Sequence, residues 1–292
     1  MKTLLLTAFC TTALLALPAI AQDQPTDALV PPTSASDYTA TQLAQVIGGD
    51  WRPTDQRARD TYRHPKETLT FFELRPDQTV IEITPGGGWY AQILAPLLRD
   101  NGHYIAAEKQ PSADSEARDD DSALRKLFLA HPAQFGKAAI VAFDPKAPVL
   151  GPAGSADRVL TFRNVHNWAM DGTAPAMFKA FYTVLKPGGV LGVVDHRADA
   201  GATLDEVKRS GYLPVDYVIK LATDAGFVLD GRSEINANPK DDHDHPEGVW
   251  TLPPTLALGD KDKDKYLAIG ESDRMTLRFV KPEAPAHAAS SP

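Results

Sequence analysis

The 292-residue sequence is short of residues on which much enzyme chemistry relies. It has one cysteine, Cys10, so structural disulfides and thiolate metal ligands are excluded. No G-x-S-x-G elbow, H-E-x-x-H pair or G-x-x-x-x-G-K-[ST] loop occurs, which leaves the common hydrolase and NTPase routes without support. Positive charge is also scarce, with 30 Lys+Arg against 38 Asp+Glu and a net charge of −8. That balance argues against nucleic acid as a partner. The apolar run Leu4 to Leu17 is too short to span a bilayer as a helix. With Lys2 before it, Pro18 after it and Ala19-Ile20-Ala21 fitting an A-x-A cleavage site, residues 1–21 read as a secretory signal. The mature chain is then exported, periplasmic or secreted, with no thiol and no stable membrane insertion.

What is present suits a soluble core: 43% of residues are hydrophobic, 23% charged and 8% aromatic. Residues 22–37 and 282–292 are rich in Pro, Ser, Thr and Ala and read as a flexible leader and tail. Residues 38–281 read as one domain in which short apolar runs alternate with helical patterns. Strands are expected at Thr79–Thr84, His103–Ala107, Ala138–Phe143, Asp157–Phe162 and Val190–Val194. Helices are expected from Trp89 to Leu98, with Pro96 a local irregularity, from Ala174 to Leu185 and from Pro214 to Ala225. Phe227–Ile235 and Met275–Val280 read as a closing antiparallel pair. This order predicts an α/β, doubly wound, mostly parallel sheet. Such sheets bind ligands at the carboxyl ends of their strands.

The segment from Val80 to Ala91 is a strand, the turn Pro85-Gly86-Gly87-Gly88, and a helix start. Glycines there let a ligand approach the backbone, and the helix start offers free N–H groups. Gly86, Gly88 and Ala91 also fit a G-x-G-x-x-A dinucleotide fingerprint, and a plain tight turn is the simplest alternative. Two carboxylates narrow the choice. Glu82 lies inside the apolar strand, which is costly unless donors reach it. Glu108 ends the second strand, where a carboxylate can accept from both hydroxyls of a ribose.

With these motifs the sequence resembles the class I S-adenosylmethionine-dependent methyltransferases over roughly residues 60 to 280. It is most similar to uncharacterised exported members with a YRHPKETLTFF lead-in and a PGGGWY loop. The resemblance implies a seven-stranded Rossmann-like sheet whose last strand is antiparallel, with S-adenosyl-L-methionine as cofactor. It implies that Glu82, Thr84, Gly86, Gly87 and Gly88 line the methionine end of that cofactor, Thr84 replacing a usual glycine. By the same match Glu108 holds the ribose, Phe143 and Asp144 contact adenine, and Arg163 and Asn164 lie beneath the sulfonium. Lys186-Pro187-Gly188-Gly189 matches the turn into the fifth strand.

Methyl transfer is an in-line displacement that needs positioning, plus a base only if the acceptor must lose a proton. The strand-end candidates are His166, Asp195 and His196, with His64, Trp89, Tyr90 and Trp168 as candidates to contact a small-molecule substrate. Arg63 and Glu67, at helical spacing, are expected either to pair with each other or to join a lid. Asp241 to Glu247 offers two histidines and several carboxylates, a metal-like set that reads better as a solvated acidic loop. Asp260 to Glu271 has the carboxylate spacing of a calcium loop, but Lys265 stands where glycine is needed, so it reads as a charged surface turn. No metal is assigned. Three functions remain in play: a methyltransferase, a non-catalytic adenosine-ligand-binding protein on the same fold, and an NAD-dependent oxidoreductase. Oligomeric state is not legible.

Overall fold

The computed structural model describes residues 35–111 and 122–283. Residues 1–21, read as a secretory signal, most of the leader 22–37 and the end of the tail lie outside the described residues. Helix α1 (Ala35–Ile47) begins within the last residues of that leader, with Asp37 in its first turn, where a helix N-terminus favours negative charge. Short helices α2 (Thr54–Ala58), α3 (Asp60–Arg63) and α4 (Pro65–Phe71) complete the lead-in.

Seven strands follow: β1 (Thr79–Ile83), β2 (His103–Lys109), β3 (Ala139–Phe143), β4 (Ala156–Phe162), β5 (Leu185–His196), β6 (Val228–Ser233) and β7 (Arg274–Val280). They form one sheet in the order β3-β2-β1-β4-β5-β7-β6. β1 pairs parallel with both β2 and β4, while β7 runs antiparallel between β5 and β6. The expected strands and the closing antiparallel pair are all present. β5 is longer than expected, because Leu185 already pairs with Ala156 ahead of the Lys186–Gly189 turn.

Strand residues alternate between two apolar layers, as a period of two requires. Ile81, Val159 and Val193 face one layer with helices α8 (Val165–Met170), α9 (Ala174–Val184) and α11 (Val215–Asp224). Val80, Leu160 and Val194 face the other, with α1, α5 (Ala91–Leu98) and α6 (Ala123–Ala130). Between the remaining elements lie α7 (Pro132–Phe135), α10 (Leu204–Ser210) and α12 (Lys263–Ile269). Among the described residues no helix is long and apolar enough to cross a membrane.

Helix α5 continues through Pro96. Proline has no N–H, so the carbonyl of Gln92, four residues back, loses its helical donor. The indole Nε1 of Trp51 donates to that carbonyl at 2.9 Å. The irregularity foreseen at Pro96 therefore anchors the lead-in to the body of the fold.

Candidate active site

The parallel strands end along one edge, and β1 and β4, its central pair, end beside each other. At the end of β1, Thr84 takes a left-handed φ of 49° and donates its N–H to Ala107 O at 2.7 Å. That conformation is strained for a β-branched residue and suits glycine, so Thr84 departs from the glycine pattern at a point of tension. Its hydroxyl oxygen is buried without a partner. Gly86 and Gly88 have φ of 60° and 82°. Among the described residues a Cβ on Gly86 or Gly87 would meet nothing within 4 Å, so these residues border open space there. A Cβ on Gly88 would meet Leu124 Cδ1 of α6 at 2.8 Å, so this glycine serves packing.

Glu82 lies below the turn, 2% exposed. Burial pushes its carboxyl up to about 7, although the hydrogen bond from Tyr104 and the charge of Arg63 pull the other way. The Tyr104 hydroxyl donates to Oε2 at 2.6 Å, which is the donor an inward carboxylate requires. Glu108, at the end of β2, is half-buried and accepts from Ser122 Oγ at 3.2 Å, with Arg125 Nε 3.9 Å away. At the end of β3, Phe143 is buried and Asp144 is exposed, its Oδ1 accepting from Lys146 N at 2.9 Å.

The ends of β4 and β5 carry a second constellation. Arg163 follows β4 with φ 61°. Asn164 is buried and ties the end of β4 to the end of β1, its Nδ2 donating to Ile83 O at 2.9 Å and Thr161 Oγ1 at 3.2 Å. Asp195 is fully buried at the end of β5. Its Oδ2 accepts from the N–H groups of Val165 and His166, which open α8, and its Oδ1 accepts from His196 N. Nδ1 of His166 is 2.8 Å from the same Oδ1. A carboxylate only accepts, so Nδ1 is the nitrogen that donates, and in the neutral ring the lone pair falls on Nε2. The ring of His196 lies 4.9 Å from that of His166, and its Nδ1 is 2.6 Å from Ser272 Oγ. Burial, followed by the charges of His166, Arg163, Arg274 and Arg63, lowers the basicity of His196 well below its usual value. One ligand atom from each of His166, Asp195 and His196 lies within 4.8 Å of the others. Both Asp195 oxygens are engaged by N–H donors, so the arrangement is that of an oriented histidine.

Beside it lies an ion cluster. Glu271, 3% exposed, accepts from Arg59 Nε at 2.7 Å, Arg63 Nε at 3.2 Å and Arg274 Nη1 at 3.1 Å. Burial alone would push its carboxyl up, but Arg63, Arg274, Arg59 and Arg163 outweigh that and hold it at about 2. Arg63 therefore pairs with Glu271 and not with Glu67, which is exposed. The α3–α4 boundary at His64, with φ 40°, breaks the helical register that the Arg63–Glu67 spacing presupposes.

The remaining candidates are placed as follows. Trp89 is buried, donates Nε1 to Gln56 O at 2.9 Å, and has the guanidinium of Arg63 4.6 Å from its ring centre. Tyr90 is buried and stacks on Phe162 at 3.5 Å. Both aromatics thus join the lead-in to the glycine turn by packing. Trp168 lies in the core against Phe181, because it stands two positions from His166 on α8 and so faces another way. His64 is half-buried and borders a 150 Å³ cavity together with Arg274 and Lys240.

Two stretches read as solvated surface are largely exposed, Asp242, Asp244, Pro246 and Glu247 in the first and Asp260 to Lys265 in the second, but each has buried members. In Asp241–Glu247, Asp241 and His245 are buried. Asp241 accepts from the Tyr212 hydroxyl at 2.9 Å, from Asp273 N at 2.7 Å and from His245 Nε2 at 2.8 Å, so Asp241 and His245 are held inward by hydrogen bonds. In the calcium-like stretch Asp260 is exposed, yet Glu271 is a buried hub. Glu271, Ser272, Asp273 and Arg274 were missed as site residues. The signal was present: four polar residues run directly into an apolar strand, and all four are buried.

No protein-family model and no curated protein matches the chain. Solved structures do. The [4+2]-cyclase SpnF matches with a TM-score of 0.55 at 16% identity, over 84% of this chain and 94% of its own. Phosphoethanolamine N-methyltransferase 2 of Haemonchus contortus, bound to S-adenosyl-L-methionine, matches with a TM-score of 0.52 at 16% identity, over 84% of this chain and 58% of its own. The fold is the Rossmann-like methyltransferase fold. Its seven strands and antiparallel β7 agree with what the resemblance implies. That one match is a cyclase illustrates why function has to be argued from the site.

Proposed function

We propose that the protein is a class I methyltransferase that uses S-adenosyl-L-methionine to methylate a small molecule, and that residues 1–21 direct its export. The observation that carries this reading is the open turn at Gly86 and Gly87, flanked by Glu108 on one side and the Asp195–His166 pair on the other. S-adenosyl-L-methionine would supply an electrophilic methyl group on a sulfonium. The residues present fit it: Gly86 and Gly87 leave room against the backbone, and Glu108 offers a carboxylate for ribose hydroxyls. Glu82 and Thr84 underlie the methionine end, Phe143 and Asp144 the adenine, and Asn164 braces the two strand ends between donor and acceptor.

His166 acts on the acceptor. Its Nε2 takes the proton of an acceptor hydroxyl or amine as the methyl bond forms, and Asp195 holds the ring in the required tautomer. His196 and Ser272 stand beside it as a neutral polar wall.

A non-catalytic adenosine-binding protein is the second reading, favoured by the strained Thr84 in the glycine pattern. An NAD-dependent oxidoreductase is third; Tyr104 gives Glu82 a partner within the protein, so Glu82 alone does not separate it. Calorimetry with S-adenosylmethionine, S-adenosylhomocysteine and NAD decides the ligand, and transfer of labelled methyl to small-molecule extracts decides the activity. Binding of the sulfur compounds with loss on Glu108→Ala is expected. Absence of binding at about millimolar concentration defeats the proposal.

A further inference from the structure

Four guanidiniums, those of Arg59, Arg63, Arg163 and Arg274, converge on the single carboxylate of Glu271. Three of them bond to it directly. The Arg163 side chain makes no hydrogen bond and no ion pair among the described residues, although Glu271 and Arg274 both lie within its electrostatic reach. Arg63 is 2% exposed, and among the described residues its Nη2 is buried without a partner, as are Arg59 Nη2 and Arg274 Nε. Buried donors without acceptors are costly, and uncompensated buried charge is more so. An ion network that closes its own hydrogen bonds has no N–H left to offer a ligand. This one leaves an excess of positive charge and unanswered N–H groups.

The topology says which side of the site this charge serves. β4, β5 and β7 are consecutive in the sheet, on the opposite side of β1 from β2 and β3. Arg163 follows β4, His196 ends β5 and Arg274 opens the antiparallel β7, so all three emerge along the same edge. Glu108 belongs to β2, on the far side. The cluster therefore adjoins His166 and His196 and lies away from the ribose-side carboxylate.

We propose that this cluster receives an oxyanion, carboxylate or phosphate, of the methyl acceptor, with Arg163 as the residue that contacts it. The proposal rests on the methyltransferase reading for the word acceptor, but the anion site is defined by the arginines. The acceptor is then an acidic small molecule whose anionic group docks at Arg163, Arg63 and Arg274. Its hydroxyl or amine meets His166 Nε2.

The test uses the full chain loaded with S-adenosylhomocysteine and titrated with inorganic phosphate, benzoate and, as uncharged control, benzamide. Saturable binding of the two anions but not benzamide is expected. Arg163→Gln should weaken it about tenfold or more, and Arg163→Lys should weaken it less. Arg163 makes no hydrogen bond that glutamine would break, and the melting temperature checks that the fold is kept. Anion binding that is absent, or equal in Arg163→Gln, overturns the proposal. A loss of S-adenosylhomocysteine affinity in Arg163→Gln with 5′-methylthioadenosine unaffected also overturns it, since the cluster would then hold the donor's own carboxylate. If no sulfur compound binds while Arg163-dependent anion binding persists, the anion site stands and the methyl-donor reading fails.

Discussion

Asp195 Oδ1 lies 2.8 Å from His166 Nδ1, and the carboxylate is itself held by three backbone N–H groups at the junction of β5 and α8. The histidine ring is thus fixed in orientation and tautomer before any substrate arrives. His166→Gln should lower methyl transfer by about a hundredfold or more while S-adenosylhomocysteine affinity changes little. Parallel kinetics and calorimetry check this; equal losses in both would mean that His166 only supports the fold. Asp195→Asn should also destabilise the protein by about 1–3 kcal/mol, because an amide cannot accept at both of its ends.

The buried Glu82 carboxyl, pushed up from 4.5 to about 7, makes stability depend on pH in a definite direction. The folded protein holds this proton more tightly than the unfolded chain, so stability should fall as pH rises from 4.5 to about 7. Glu82→Gln keeps an acceptor for the Tyr104 hydroxyl and removes the charge. It should be more stable than the parent above pH 7, by at most about 3 kcal/mol, and should bind S-adenosylmethionine more weakly. Urea unfolding at pH 5 and pH 8 measures the first effect.

His243 titrates in a separate window. Its hydrogen bond to Asp273 raises it to about 9 against the opposing effect of burial, with Asp199 adding to the rise. The stabilisation it brings is complete below 6.5 and is lost as pH climbs through about 9. Its ring nitrogens lie 2.8 Å from Asp199 Oδ1 and 3.3 Å from Asp273 Oδ2. His243→Gln should flatten the fall in melting temperature between pH 6.5 and 9, an effect of about 2 kcal/mol after solvent screening. An unchanged profile would refute the assignment.

Trp51 and Pro96 should be coupled. Trp51→Phe leaves the Gln92 carbonyl without its indole donor and should cost about 1–3 kcal/mol, part of it from lost packing. Pro96→Ala returns an N–H to that carbonyl, so the Trp51→Phe penalty should shrink in the Pro96→Ala background. Additive penalties in a double-mutant cycle would show the indole bond to be incidental.

Much of the fold was legible along the chain because its signals are local. The β-branched run at Val80–Ile83, the Pro85–Gly88 turn and the helix stop at Gly226 each act through neighbouring residues. The lead-in was harder. Its helices are short, and α2 buries no residue, so they lack the long apolar period that marks α9. Within the site, Glu82 stood out as a carboxylate inside an apolar strand and Glu108 as one at a strand end, whereas Glu271 looked like part of a charged turn. Two of the three partners of Glu271, Arg59 and Arg63, are more than two hundred positions away, and no local pattern carries such a pairing.

Composition and local pattern by themselves determined the strand-turn-helix order, the parallel sheet, the glycine turn and the want of thiol chemistry. Only the tertiary structure decided that His166 is oriented by Asp195, that Trp168 packs in the core, and that Arg63 turns from Glu67 to Glu271. The reason is physical: secondary structure follows from short-range sterics and hydrogen bonding. Charge pairing and side-chain orientation depend on which distant segments the sheet brings to a common edge.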